Sequence, residues 1–158
     1  MINVISCNGK MDFLNTEGLE TEEIKLVLKR TADGDPKRNR VPAYYFDICG
    51  KGGERMGSCD LRIGYTEGLY YGGHIGYSVD EAYRGRHYAA KACRLLFELA
   101  RMHGMEYLYI TCNPANTASR KTCEYLGGQL VEIAELPDDN DMRVNDGETH
   151  ECIFRFDL

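Results

Sequence analysis

Apolar positions along the chain switch between a period of two and a period of three to four, the pattern of strands interleaved with helices. Ile24, Leu26 and Leu28 alternate with charged or branched partners over Glu23 to Arg30, which predicts a first strand. The polar turn-formers from Thr31 to Arg40 break the pattern, and Pro42 to Ile48 resumes it. Gly50-Lys51-Gly52-Gly53-Glu54 reads as a hairpin loop, with further strands at Met56 to Ile63 and Leu69 to Val79. From His87 to His103, Tyr88, Ala92, Leu95, Leu96, Leu99 and Met102 share one helical face, and Gly104 is a suitable stop. Tyr107 to Cys112 is the next strand, ended by Asn113-Pro114, and Asn116 to Tyr125 reads as a second helix. Gln129 to Glu135 and Glu151 to Phe156 make a closing antiparallel pair. The interleaving predicts an α/β (α+β) fold.

The informative turn lies between the strand ending at Val79 and the long helix. Arg84-Gly85-Arg86-His87-Tyr88-Ala89 places a flexible residue and two guanidinium groups where a helix starts. Unpaired backbone N–H groups and the positive end of the helix dipole then point the same way. Phosphate, sulfate or a nucleotide pyrophosphate suits such a corner, and a solvated surface turn is the other reading of the same residues. The loop is neither Gly-x-Gly-x-x-Gly nor Gly-x4-Gly-Lys-Ser/Thr.

These residues resemble the GNAT superfamily of acetyltransferases, whose loop after the fourth strand follows Arg/Gln-x-x-Gly-x-Gly/Ala. Arg84 matches the first position and Ala89 the last, while His87 replaces the central glycine. A side chain there is expected to crowd the pyrophosphate, although a residue entering a right-handed helix has no steric need to be glycine. Gly76-Tyr77, Val79-Asp80 and Tyr83-Arg84-Gly85 look most like the branch containing the N-terminal acetyltransferases of ribosomal proteins. Asn116-x-x-Ser119-x-x-x-Cys123-Glu124-x-Leu126-Gly127 resembles the family's second cofactor segment, so the likeness spans roughly residues 55 to 135.

The resemblance implies a GNAT-like fold: a mixed, mostly antiparallel central sheet with splayed strands and flanking helices. The first helical region is expected to be shortened, because residues 31 to 42 leave too little chain for the two helices the family carries there. It also implies acetyl-CoA as cosubstrate and no metal. Arg84, Gly85, Arg86, His87, Tyr88 and Ala89 would hold the pyrophosphate. Tyr77, Ser78 and Val79 would pair with the pantetheine arm, which Asn116 also contacts, and Ser119 lies one turn beyond Asn116.

Composition narrows the partners. A length of 158 residues with 43% hydrophobic content predicts a single domain over 1–158. The formal charge of −6 argues against nucleic acid, since a polyanion calls for a basic face. The first residues lack a signal-peptide pattern and no run reaches membrane-spanning length, so a cytoplasmic protein with no membrane partner is expected. Seven cysteines without a Cys-x-x-Cys pair read as reduced packing residues rather than a disulfide framework or zinc site. The acidic segment from Pro137 to Glu148 is expected to be a solvated loop, or else to attract a cationic amine.

Acetyl transfer to an amine needs a neutral nucleophile, a donor for the oxyanion and a proton for the departing thiolate. His74 is assigned as the base and Cys123, where the family often carries a tyrosine, as the acid. A hydrogen-bonded histidine and a packing cysteine are the competing readings, with Asp60 or Glu124 as bases acting through water. The expected function is acetyl transfer from acetyl-CoA to a primary amine (small amine, amino acid or protein N-terminus) by direct attack in a ternary complex. A noncatalytic acyl-CoA-binding or sensing module is the alternative. Exposed strand edges make a homodimer a reasonable assembly.

Overall fold

In the computed structural model, which describes residues 9–158, β1 (Ile24–Ala32), β2 (Ala43–Gly50), β3 (Arg55–Arg62) and β4 (Ile75–Val79) form an antiparallel meander. Cys7 and the reading of the first residues as lacking a signal peptide lie outside the described residues. A second antiparallel sheet consists of β5 (Tyr107–Cys112), β6 (Gln129–Glu135) and β7 (His150–Asp157), with β7 in the middle. The interval between β1 and β2 holds only a 3-10 turn at Pro36–Arg38, so the expected shortening of the first helical region is what the chain adopts.

Four helices connect the strands among the described residues: α1 (Glu67–Gly72), α2 (Tyr88–Met102), α3 (Thr117–Tyr125) and α4 (Asp141–Asp146). α2 presents Cys93, Leu95, Leu96 and Leu99 to both sheets, meeting Tyr44, Phe46, Leu61 and Ile75 of the first and Leu108, Ile110, Phe154 and Phe156 of the second in one core. Each fully buried leucine contributes roughly 1.5–3 kcal/mol relative to exposure. Among the described residues no helix is long and apolar enough to cross a membrane.

Two local expectations change. The strand expected from Leu69 starts only at Ile75, because Leu69 to Gly72 belong to α1. The Thr66 side chain caps that helix by accepting the Leu69 N–H at 3.2 Å, and Gly73, at φ 79°, ends it by donating to the Leu69 carbonyl. Capping thereby overrides the strand preference of Tyr70 and Tyr71. The acidic segment likewise contains a helical turn, α4, capped by Asn140 and stopped by Gly147 at φ 71°.

The two sheets meet at one point. The His74 N–H donates to the Tyr109 carbonyl at 2.8 Å, and the Tyr109 N–H donates to His74 Nδ1 at 3.0 Å. The imidazole thus takes the place of a backbone acceptor, and with Nδ1 accepting, Nε2 carries the proton and donates to the Gly64 carbonyl at 2.8 Å. Beside it, Gly73 takes a positive φ that favours glycine, and a Cβ there would stand a tight 3.1 Å from the Thr111 nitrogen. Past this contact β4 and β5 belong to separate sheets. The strands diverge from His74 and Tyr109 as the resemblance implied.

His74 is fully buried, and burial lowers its pKa from 6.5 to about 4. The stability it contributes is therefore present above pH 6.5 and lost as the pH falls toward 4, a change of about 3 kcal/mol. Urea unfolding at pH 7.5 and 4.5 is expected to show this loss in the wild type. It should be smaller in His74→Gln, which starts from lower stability at pH 7.5; equal pH dependence in the two proteins would refute the buried neutral imidazole.

Candidate active site

The divergence of β4 and β5 opens a cleft of about 780 Å³, within the range of small-molecule sites. Ile75 to Val79 form one wall and Thr111, Cys112 and Asn113 the other. β4 pairs with β3 on one side only, so alternate N–H and C=O groups of its second edge remain available to a ligand. Tyr77, Ser78 and Val79, assigned to the pantetheine arm from sequence, all line this cleft.

One end is closed by the turn entering α2. Arg84, Gly85, His87, Tyr88 and Ala89 line it, whereas Arg86 is exposed and does not. The Arg84 Nε–H donates to the Val79 carbonyl at 2.9 Å, fixing the guanidinium beside the end of β4. The first turn of α2 has neither a side-chain cap nor an acidic residue, and its first helical bond runs from the Lys91 N–H to the His87 carbonyl. The N–H groups of Tyr88, Ala89 and Ala90 are left as the helix's free donors. Gly85, at φ 83°, has nothing within 4 Å of where a Cβ would stand, so the corner is open on that side. These features fit a diphosphate.

His87 corrects one expectation. It does not enter the helix in the right-handed conformation but sits at φ 59°, ψ 24°, the left-handed region that glycine occupies without strain. For a non-glycine residue that conformation costs on the order of 1–2 kcal/mol. The imidazole stacks on Tyr125 of α3 with ring centroids 4.1 Å apart and planes 15° apart, and Arg94 lies over the other ring at 5.3 Å. A ring stack of this kind offsets about 0.5–1.5 kcal/mol of the strain.

α3 forms a further side of the cleft. Asn116 caps it by accepting the Ser119 N–H at 3.1 Å, and the Ser119 hydroxyl lies 2.6 Å from the Tyr77 hydroxyl. Asn116 and Ser119 both line the cleft. Burial pushes the Tyr77 phenol well above its usual 10, so it stays protonated and is able to donate a hydrogen bond.

Neither residue assigned to catalysis stands in the cleft. His74 is at the meeting point of the sheets, with both ring nitrogens engaged and a pKa too low for a base at neutral pH. Cys123 is fully buried in the core, and burial with the nearby Cys112 pushes its thiol up to about 12. Its place on α3 turns it inward, so packing accounts for it. Asp60 is engaged by the Arg62 guanidinium at 2.6 Å and the Gly76 N–H at 3.2 Å. The cleft instead contains acids that were not picked out as site residues: Glu148, just before β7, and Glu151 within it. Glu151 falls in a predicted strand, and strand alternation alone does not distinguish a buried carboxylate from a solvated one.

A cleft between diverging strands, closed by the start of a helix, is the architecture of acetyl-CoA-dependent acyltransferases. The family model for the acetyltransferase (GNAT) domain matches residues 10–129, and the chain belongs to that family. Among solved structures, the microcin C7 self-immunity acetyltransferase MccE, in complex with acetyl-CoA and AMP, is similar with a TM-score of 0.58 and 19% identity, over 73% of this chain and 61% of that one. The ribosomal-protein-S5-alanine acetyltransferase of Vibrio fischeri is similar with a TM-score of 0.56 and 20% identity, over 73% and 61%. The Salmonella typhimurium acetyltransferase that modifies the N-terminal serine of ribosomal protein L7/L12 gives 0.56 and 19%, over 73% and 64%. The chain thus spans less than two thirds of each of these proteins. No curated protein matches the chain.

The six described cysteines, Cys49, Cys59, Cys93, Cys112, Cys123 and Cys152, are all buried and unpaired. At pH 7.5 the native protein is expected to resist iodoacetamide at these positions and to be alkylated at all of them in urea, as read by peptide mass spectrometry. Native labelling of Cys123 at the unfolded rate would overturn its assignment to the core.

Proposed function

We propose that the protein transfers the acetyl group of acetyl-CoA to a primary amine by direct attack in a ternary complex. The observation that carries this reading is the continuous cleft from the free N–H groups of α2 to the gap between β4 and β5. When bound, acetyl-CoA supplies an activated thioester. Arg84 and the N–H groups of Tyr88 and Ala89 hold the diphosphate, and the free edge of β4 at Tyr77 to Val79 pairs with the pantetheine arm and supplies N–H donors toward the thioester carbonyl. The Tyr77 hydroxyl, held by Ser119, offers a hydrogen bond to the departing sulfur. A mobile thiol acid at position 123 is not part of this reading.

The second reading, a noncatalytic acyl-CoA-binding module, draws on the burial of Cys123 at the position where the family often carries a tyrosine. Acetyl-CoA incubated with amines, amino acids, polyamines and N-terminal peptides separates the two by release of free thiol. Turnover with at least one class is expected. Tight acetyl-CoA binding by calorimetry without thiol release across the panel would select the module, and no binding would reject both.

The left-handed conformation of His87 gives a sharper test. His87→Gly keeps the backbone geometry and is expected to leave the acetyl-CoA KM within about threefold. His87→Val, whose β-branched side chain is a genuine outlier at positive φ, should raise it about tenfold or more. Equal KM values for the two variants would show that the turn's conformation does not govern binding.

A further inference from the structure

Glu151 has an exposure of only 2%, and its Oε1 has no hydrogen-bond partner. No counter-ion is paired with it among the described residues. A carboxylate so placed is costly to keep charged unless a ligand supplies what the protein does not. Glu151 nonetheless lines the cleft, together with Glu148 and Met142.

Strand alternation tells which side it serves. Cys152, Phe154 and Phe156 of β7 point into the core beneath α2, so Glu151 and Ile153 point to the opposite face of the second sheet. Thr111, paired with Ile153, belongs to that face, and α1 packs against it. The cleft therefore joins two surroundings. On the α2 side stand the free N–H donors and the Tyr77–Ser119 pair, and on the far side a buried acid that shares a hydrogen bond with Glu148 and whose Oε1 has no partner.

We infer that Glu151, with Glu148 beside it, is the receiving site for the acceptor amine as a primary ammonium ion and the base that removes its proton. This rests on the acetyl-transfer reading above. One ammonium N–H bond breaks and a Glu151 O–H bond forms. The freed lone pair attacks the thioester carbon, a C–N bond forms and the C–S bond breaks. The thiolate takes up a second amine proton, leaving one on the amide nitrogen, and the Glu151 carboxyl later returns its own proton to solvent.

Burial and the facing Glu148 carboxylate hold the Glu151 pKa up at about 8, so the acid is poised to exchange a proton near neutrality. Cys112 of β5, on the core face, is near enough to feel its charge and has its thiol held up at about 11, chiefly by burial, while Lys121 of α3 and Tyr77 of β4 line the same cleft. Arg84 and His87 stand at the diphosphate corner. Ala134, its partner on β6, brings no charge.

The test compares wild type, Glu151→Gln and Glu148→Gln by calorimetry with acetyl-CoA and by thiol release with n-butylamine, 1,4-diaminobutane and a tripeptide bearing a free N-terminus. Glu151→Gln should bind acetyl-CoA within twofold of wild type and lose at least a hundredfold in kcat/KM for the amine, with the enzyme's own inflection lost and the residual rate rising only as the free amine does. Glu148→Gln should keep the inflection but move it to lower pH. Glu151→Gln should also be no less stable than wild type above pH 5, since it removes a carboxylate that the folded state resists ionising, and a folding defect is thereby separated from a catalytic one. An unchanged pH profile, or a kcat/KM within threefold of wild type, overturns the inference. If acetyl-CoA binds without turnover, or does not bind, acetyl transfer fails as the function. The amine site is then read from the carboxyl 13C resonance of Glu151, which the three amines should shift if it is real and leave in place if it is not.

Discussion

The paired hydrogen bonds between His74 and Tyr109 hold the two sheets together at the head of the cleft. A sheet that ran on regularly would bond β4 to β5 along their length and leave no opening. Here the paired bonds stop at one residue on each side, because an imidazole nitrogen accepts the N–H that a backbone carbonyl would otherwise take. The side chain has nowhere further to pass the pairing along. β4 and β5 then diverge, with Gly73 allowing the chain to come within reach of Thr111 at the point of contact.

The imidazole's role in that contact excludes another. A base near neutral pH needs a free nitrogen, access to the substrate and a pKa near the working pH. His74 has both nitrogens committed and no exposure, and burial favours its neutral form so strongly that protonation belongs to acid unfolding rather than to turnover. Its place in the chain, just ahead of the strand that lines the cleft, brings it close to the chemistry without bringing it into contact.

The order of strands and helices was legible because core-facing residues repeat with the periods of the elements carrying them. Leu95, Leu96 and Leu99 on α2 and Leu108 and Ile110 on β5 show it plainly. The open turn entering α2 was legible from local chemistry, since guanidinium groups and free helix donors are near neighbours along the chain. What escaped depends on the third dimension. Leu69 went to a helix because a threonine oxygen captured its N–H, a choice that periodicity does not register. Cys123 occupies a position that carries chemistry elsewhere in the family, yet the face of α3 it shares points into the core. His87 departs from the family's glycine while keeping the glycine's backbone conformation, so the substitution was visible and its consequence was not.

The same reasoning explains why acid and donor groups end up on opposite faces. A strand sends successive side chains to opposite sides, so a sheet opened by diverging strands presents two chemically independent surfaces to one ligand-sized gap. On the α2 side the helix supplies positive potential and donors that do not titrate, suited to phosphate oxygens and a departing sulfur. A carboxylate on that side would compete for those donors and weaken the anchor. On the far side, Glu151 and Glu148, one within β7 and one on its approach, form no ion pair among the described residues, and burial together with their mutual repulsion favours a shared proton or an incoming positive charge. On the acetyl-transfer reading proposed above, placing the acids across the sheet from the helix would let one narrow opening take an anion and a cation at once.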